Sequence, residues 1–235
     1  MPSRSARPRR SCAKIGAELS TSEHDRAEPG VHPIEAESFA IMAGLVDLGA
    51  WPEPERQVVA RMIHATADES FAASARIGSD AVAAGVAALR RGATVVCDAR
   101  MVVAGMPAVG RDTEVVCYLD RAPAAQHGRA TRSEAAIEQA AADHPEGAVW
   151  VVGNAPTALA RLLDLHQQGG VRPALVVGLP VGYVGAAEAK EALWDSTLRA
   201  ISITNKGRRG GSPVAAAAVN ALLRLSGARQ VSPPR

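Results

Sequence analysis

The sequence predicts a three-layer α/β fold, in which a mostly parallel sheet carries helices on both faces within a single domain. Three observations lead there. Five short runs rich in Val and Ile, bounded by Gly, Asp or Asn, read as buried strands. The segments between them read as helices of about a dozen residues, and strands that alternate with such helices pair in parallel through right-handed crossovers. Finally, 235 residues with 47% hydrophobic but only 3% aromatic content can bury a core, which must be built from Ala, Val, Leu and Ile.

The elements follow in order. Residues 1–30 begin with the basic stretch MPSRSARPRRSCAKIG, lack the apolar segment of a secretory signal, and read as a disordered extension. Residues 31–227 are expected to form the domain and 228–235 a C-terminal tail. HPIEAESFAIMAGLVDL (32–48) reads as a helix entered at Pro33, with Ile34, Phe39, Ile41, Met42 and Leu45 available for burial. A second helix starts near Pro54 and places Val58, Val59, Met62 and Ile63 on one arc at about 100° per residue, with His64 nearly opposite its centre. SDAVAAGVAALRR (79–91) suits a helix capped by Ser79, with two arginines at its carboxyl end where the dipole favours them.

From there the pattern alternates. GATVVCD (92–98), TEVVCYLD (113–120), GAVWVVGN (147–154), RPALVVGLP (172–180) and RAISITN (199–205) are the strands. RSEAAIEQAAADH (132–144), APTALARLLDLHQQ (155–168), GAAEAKEALWDS (185–196) and GGSPVAAAAVNALLRL (210–225) are helical.

Composition removes several function classes. The formal charge of +2 is concentrated in residues 1–31, which hold six Lys/Arg against four Asp/Glu, so an anionic ligand must be met by local clusters in a balanced body. So few aromatic residues leave no stacking platform for nucleic acid. Cys12, Cys97 and Cys117 form no C-x-x-C pair, which argues against a disulfide framework and fits a reducing cytoplasm. No apolar run approaches the roughly 18 residues of a membrane span. Histidines 24, 32, 64, 127, 144 and 166 show no H-E-x-x-H spacing and no G-x-S-x-G occurs, so neither a metal site nor a serine hydrolase is expected.

Ligands of parallel α/β sheets sit outside the carboxyl ends of the strands. Here those ends are Asp98, Gly153-Asn154, Gly178-Leu179-Pro180 and Asn205-Lys206-Gly207. Gly178, Gly182 and Gly185 stand between a strand and a helix, where they serve either tight turn geometry or anion binding by open N–H groups. GRRGGS (207–212) is not a phosphate loop. Arg132, Lys206, Arg208 and Arg209 are either surface charge or forks for ligand carboxylates. His64 has Arg61 and Asp68 on its side of the helix, with Asp68 one turn on and close enough to orient the imidazole; the other reading is a solvated polar face.

In order along the chain, HPIEAESFAIM (32–42), RMIHATAD (61–68), VVCDARMVVAGM (95–106), TRSEAA (131–136), VVGNAPTAL (151–159), GLPVGYVGAAEAKEAL (178–193) and KGRRGGSPVAAAAVNAL (206–222) resemble the precorrin-8X methylmutases, corrin-ring isomerases of cobalamin biosynthesis. The similarity runs from about His32 to Leu223, and the fifth and sixth motifs are its most specific parts.

The resemblance implies a three-layer α/β fold, a homodimer with sites near the subunit interface, and no cofactor. It also implies the reaction: a methyl group moves from ring carbon 11 to ring carbon 12 of precorrin-8X, giving hydrogenobyrinate, or cobyrinate from the cobalt form. His64 inherits the catalytic role. Around the tetrapyrrole the expected residues are Ser38, Arg61, Thr66, Asp68, Asp98, Met101, Thr131, Arg132, Ser133, Asn154, Thr157, Gly182, Gly185, Arg208, Arg209 and Gly211. Arg132, Arg208 and Arg209 would clamp acetate and propionate arms, Arg132 foremost, and the backbone at 154–157 and 182–186 would take other arms. A corrinoid carrier without chemistry is the alternative, and it would not need His64. A nucleotide-binding protein would need a phosphate loop that is not evident.

Overall fold

The computed structural model describes residues 32–106, 113–122 and 130–227. The expected tails at 1–30 and 228–235, and with them His24 and His127, lie outside the described residues. By internal contacts the chain divides into residues 1–37 and 38–235. Of the first unit the described part is 32–37, the opening of helix α1 (Pro33–Leu45).

The second unit is built on a six-stranded sheet. Its strands are β1 (Ala75–Ile77), β2 (Val95–Cys97), β3 (Val115–Cys117), β4 (Val149–Val152), β5 (Leu175–Gly178) and β6 (Ser202–Asn205), in the order β1-β6-β5-β4-β2-β3. The five strands anticipated from sequence are all present and mutually parallel. The sixth, β1, was not anticipated: three residues, Ala-Arg-Ile, show no alternation, and they become a strand only by pairing antiparallel with β6 at the sheet edge.

Alternation along the strands makes two cores. Val95, Cys97, Val149, Val151, Leu175, Val177 and Ile203 point to the side packed by α2 (Glu55–Thr66), α4 (Ala81–Arg90), α5 (Arg100–Ala104) and α9 (Ser212–Leu225). Val96, Trp150, Val152 and Val176 point to the side packed by α6 (Arg132–Asp143), α7 (Pro156–Gln167) and α8 (Ala186–Asp195). Chain order then fixes the functional edge. The connections β3-α6-β4, β4-α7-β5 and β5-α8-β6 run over one face, while β2-α5-β3 runs over the other, so the winding reverses between β2 and β4. A crevice opens at that switch point in sheets of this kind.

Two local expectations change. Helix α4 begins after Asp80, not after a capping Ser79, and its N-cap makes no side-chain hydrogen bond. In α1 no residue is buried: Ile34, Ile41 and Leu45 are 69%, 59% and 66% exposed, while Phe39 and Met42 are half-buried. Ile41 and Leu45 are one turn apart and share a face, about 60–160° away from Met42 and Phe39, and no described element covers that face. By contrast α2 buries the expected Val58, Val59, Met62 and Ile63 and leaves His64 half-buried.

Candidate active site at the carboxyl edge of the sheet

Asp98 fills the switch point. It follows β2, is only 2% exposed, and its carboxylate accepts the N–H groups of Gly153 (2.9 Å), Asn154 (2.9 Å) and Ala155 (2.7 Å) after β4. Burial pushes the Asp98 carboxyl up, against the pull of these three donors. The N–H groups expected to take a substrate arm at 154–155 are therefore already used by a side chain of the protein, and Asp98 itself is buried. The role for which both stand is to join two strand exits.

His64 sits on the polar side of α2. Its Nδ1 is 3.0 Å from Ser38 Oγ, its ring is stacked on Phe39 at 4.6 Å and 12°, and the Arg61 guanidinium lies 5.0 Å over the other partner of that stack, Phe39. Phe39, assigned to the core from sequence, belongs to this assembly instead, where its position beside Ser38 was the available signal. The expected pairing of Asp68 with His64 does not form. Helix α2 ends at Thr66 because Ala67 adopts the left-handed conformation (φ 48°), and this turns Asp68 off the helical face. Asp68 meets Arg209 Nη1 at 2.6 Å and 2.7 Å and accepts the Ser70 N–H at 3.0 Å. Burial acts to raise the Asp68 carboxyl, but Ser70 and the Arg209 guanidinium outweigh it and hold it below its ordinary value. Thr66 also differs: its hydroxyl donates back to Met62 O at 2.8 Å within its own helix.

Two turns continue this rim. After β6, residues 206–211 bring Arg208 over the Tyr183 ring at 5.1 Å, and Arg208 O accepts the Gly182 N–H at 3.2 Å. Gly210 packs so closely on the Leu179 and Pro180 carbonyls that a Cβ would stand 2.5 Å from Pro180 O. Gly211 is buried and gives its N–H to Leu179 O at 2.8 Å, so that donor is already used within the protein. After β5, the turn 181–185 exposes Val181, Tyr183 and Val184, the last two by 87% and 88%. Tyr183 was not singled out from sequence; an aromatic residue inside a glycine-rich turn was its signal.

Beyond Gly185 lies a cleft of about 410 Å³ lined by Pro156, Thr157, Ala160, Val184, Gly185, Glu188, Ala189 and Ala192. Thr131 adjoins it. Its hydroxyl is 2.9 Å from Thr157 Oγ1 and also caps α6, with Glu134 returning the capping box. Arg132 is exposed, 3.9 Å from Asp120, which Arg100 also pairs; Ser133 is half-buried and Met101 is 67% exposed on α5. The expected residues thus fall into two groups, one around His64 and one around Thr157, linked through the turns 181–185 and 206–211. His64 does not line the cleft.

Fold and site together define a doubly wound α/β protein that carries a held imidazole, a cationic turn at 206–211 and an apolar turn at 181–185 by the carboxyl edge of its sheet. A model of the precorrin-8X methylmutase family matches residues 33–225. A protein named precorrin-8X methylmutase from Pseudomonas aeruginosa is 43% identical over 198 residues, which is 80% of this chain and 93% of its own. A cobalt-precorrin-8 methylmutase from Synechocystis is 39% identical over 215 residues, covering 84% and 97%. The crystal structure of precorrin-8X methylmutase from Thermus thermophilus aligns with a TM-score of 0.73 at 39% identity, over 85% of this chain and 98% of that one. The chain belongs to the precorrin-8X methylmutase family, an isomerase family of cobalamin biosynthesis.

Proposed function

We propose that this chain moves the methyl group on carbon 11 of precorrin-8X, metal-free or bearing cobalt, to carbon 12, with His64 as its proton donor and acceptor. The observation that carries the reading is the contact of Ser38 Oγ with His64 Nδ1 at 3.0 Å. In the imidazolium form both ring nitrogens carry a proton, and Nδ1–H donates to the Ser38 hydroxyl, which leaves Nε2–H free for the substrate. That Nε2 proton passes to a nitrogen of the macrocycle and leaves a neutral imidazole, the changed tautomer lets the methyl group migrate with its bonding pair, and the imidazole takes the proton back as the conjugated corrin forms. Atoms and electrons balance within the substrate, so the step needs no oxidant, reductant, external methyl donor or cofactor.

Carboxylate arms of the substrate are taken by Arg208, on its Tyr183 shelf, and by Arg132 beside Thr131. Arg209 serves Asp68 and Ser70 and so holds the turn. The cleft beside Thr157 and Gly185 takes an apolar edge or arm of the ring. The working form is a homodimer in the cytoplasm. What supports the dimer is exposed apolar surface beside the site, at Val181, Tyr183 and Val184, and on α1 at Ile41 and Leu45. Free Cys97 and Cys117 suit a reducing compartment, and no helix among the described residues is long and apolar enough to cross a membrane.

The test is optical. Purified protein is incubated with precorrin-8X, and separately with its cobalt form, while the visible spectrum is followed. Appearance of the hydrogenobyrinate or cobyrinate spectrum supports the reading; pigment bound with an unchanged spectrum in both cases contradicts it. Sedimentation at micromolar concentration tests the dimer, and a single species of monomer mass rejects it.

A further inference from the structure

We propose that Lys190 is a positioning residue: together with Asn205 it clamps the backbone of the turn 206–209 from inside the protein and thereby sets where Arg208 stands. This rests on the reading above that Arg208 meets a substrate carboxylate.

Lys190 lies on α8 and is fully buried, as is Asn205 at the end of β6. Its Nζ donates to Asn205 Oδ1 at 3.1 Å and to the Arg209 carbonyl at 2.5 Å. The Asn205 amide donates to the same Arg209 carbonyl at 3.0 Å and to the Lys206 carbonyl at 3.0 Å. Three donor bonds therefore converge on two carbonyls of a four-residue turn whose side chains, Lys206 to Arg209, are all outside. Two backbone bonds from neighbouring segments also reach the turn, Lys206 N–H to Ser74 O at 2.8 Å and Gly182 N–H to Arg208 O at 3.2 Å, and Gly207 in it takes a positive φ of 79°. Apart from these its backbone is held by the buried donors, by the Arg209 tie to Asp68, and by Gly210 and Gly211 against Leu179.

The chemistry of the clamp calls for a hydrogen-bond donor at the end of a long side chain. Both acceptors of Lys190 are neutral, so the group does not complete an ion pair with them, and a buried charge on neutral acceptors is costly. Burial accordingly lowers its pKa to about 8, even with Glu191 nearby to raise it. A Met side chain would fill the same length without that cost but would donate nothing. What the lysine adds is donors: one ends on the Arg209 carbonyl of the turn that carries Arg208, and one on Asn205, whose own amide holds the same turn.

The experiment uses the full chain with Lys190→Met, Lys190→Gln, which keeps a donor, and Ile137→Ala, which opens a hole in the buried face of α6 remote from the turn. Native trypsin cleavage after Lys206, Arg208 and Arg209 is timed by mass spectrometry, and KM and kcat are measured with precorrin-8X. In Lys190→Met, cleavage is expected about ten-fold faster and KM about five- to ten-fold higher, with kcat within about two-fold of wild type. Lys190→Gln recovers part of both changes, and Ile137→Ala, although less stable, shows neither. Wild-type cleavage and KM in Lys190→Met overturn the proposal, as does faster cleavage with an unchanged KM, which leaves a merely structural clamp. If Lys190→Met does not fold, Lys190→Gln decides on the same two readouts. If wild type converts no precorrin-8X, the function reading fails, and the cleavage pattern alone then accepts or rejects the clamp.

Discussion

Replacement of Asp98 by Asn tests the switch-point join with a change of one atom type. In the wild type two carboxylate oxygens accept three N–H groups at 2.7–2.9 Å from a position that is 2% exposed. An asparagine oxygen can keep Gly153, but its amide then turns N–H groups toward Asn154 and Ala155, donor against donor. Asn154 is exposed and water can replace its acceptor, so its loss costs about 0.5 kcal/mol, whereas the half-buried Ala155 N–H loses a charge-assisted bond worth about 1.5–3 kcal/mol. The sum is about 2–3.5 kcal/mol, and at about 2–4 °C per kcal/mol for a chain of this size Tm falls by about 4–14 °C. Urea unfolding monitored by circular dichroism, with the m-value unchanged, measures it. A loss under about 0.5 kcal/mol would refute the claim that Asp98 joins the two strand exits.

Three further predictions follow from local geometry. Lys190 has a folded pKa depressed from 10.5 to about 8, so its contribution to stability is present above the unfolded value and is lost as pH falls through the folded one. Between pH 10.5 and 8 wild type should therefore lose about 3 kcal/mol relative to Lys190→Met, read as the difference between their urea midpoints; a pH-independent difference contradicts it. Gly210→Ala cannot fit its Cβ beside Leu179 and Pro180 without moving the turn, and is expected to cost about 2–4 kcal/mol and to weaken product binding in a spectroscopic titration. Ala67→Gly should relieve a left-handed alanine at the end of α2 and raise stability by about 0.5–1 kcal/mol, seen as a higher urea midpoint.

How much of this was legible in the sequence depended on whether a feature is local. The five parallel strands and the buried arc of α2 announce themselves by periodicity, because each buries its own side chains on one face. Strand β1 does not, since Ala75–Ile77 is a strand only through its partner β6. The outward Ile41 and Leu45 carry the same apolar signal as a core residue, and nothing in their spacing says which face a neighbour covers. At the site, His64 was placed correctly on the polar side of its helix, but helical spacing extended to Asp68 failed at Ala67, where the chain leaves the helix. The partners of Asp98, Lys190 and Arg209 are 15 to 141 residues away and include backbone groups, which no motif displays.

The most direct test of the central claim is the visible spectrum of wild type and of His64→Ala, each incubated with precorrin-8X. The account predicts that wild type develops the hydrogenobyrinate spectrum, while the variant binds the pigment with similar affinity and converts it at least about 100-fold more slowly, the usual range for loss of a general acid. Conversion by His64→Ala at the wild-type rate would contradict the role assigned to His64 and to the Ser38 contact that orients it.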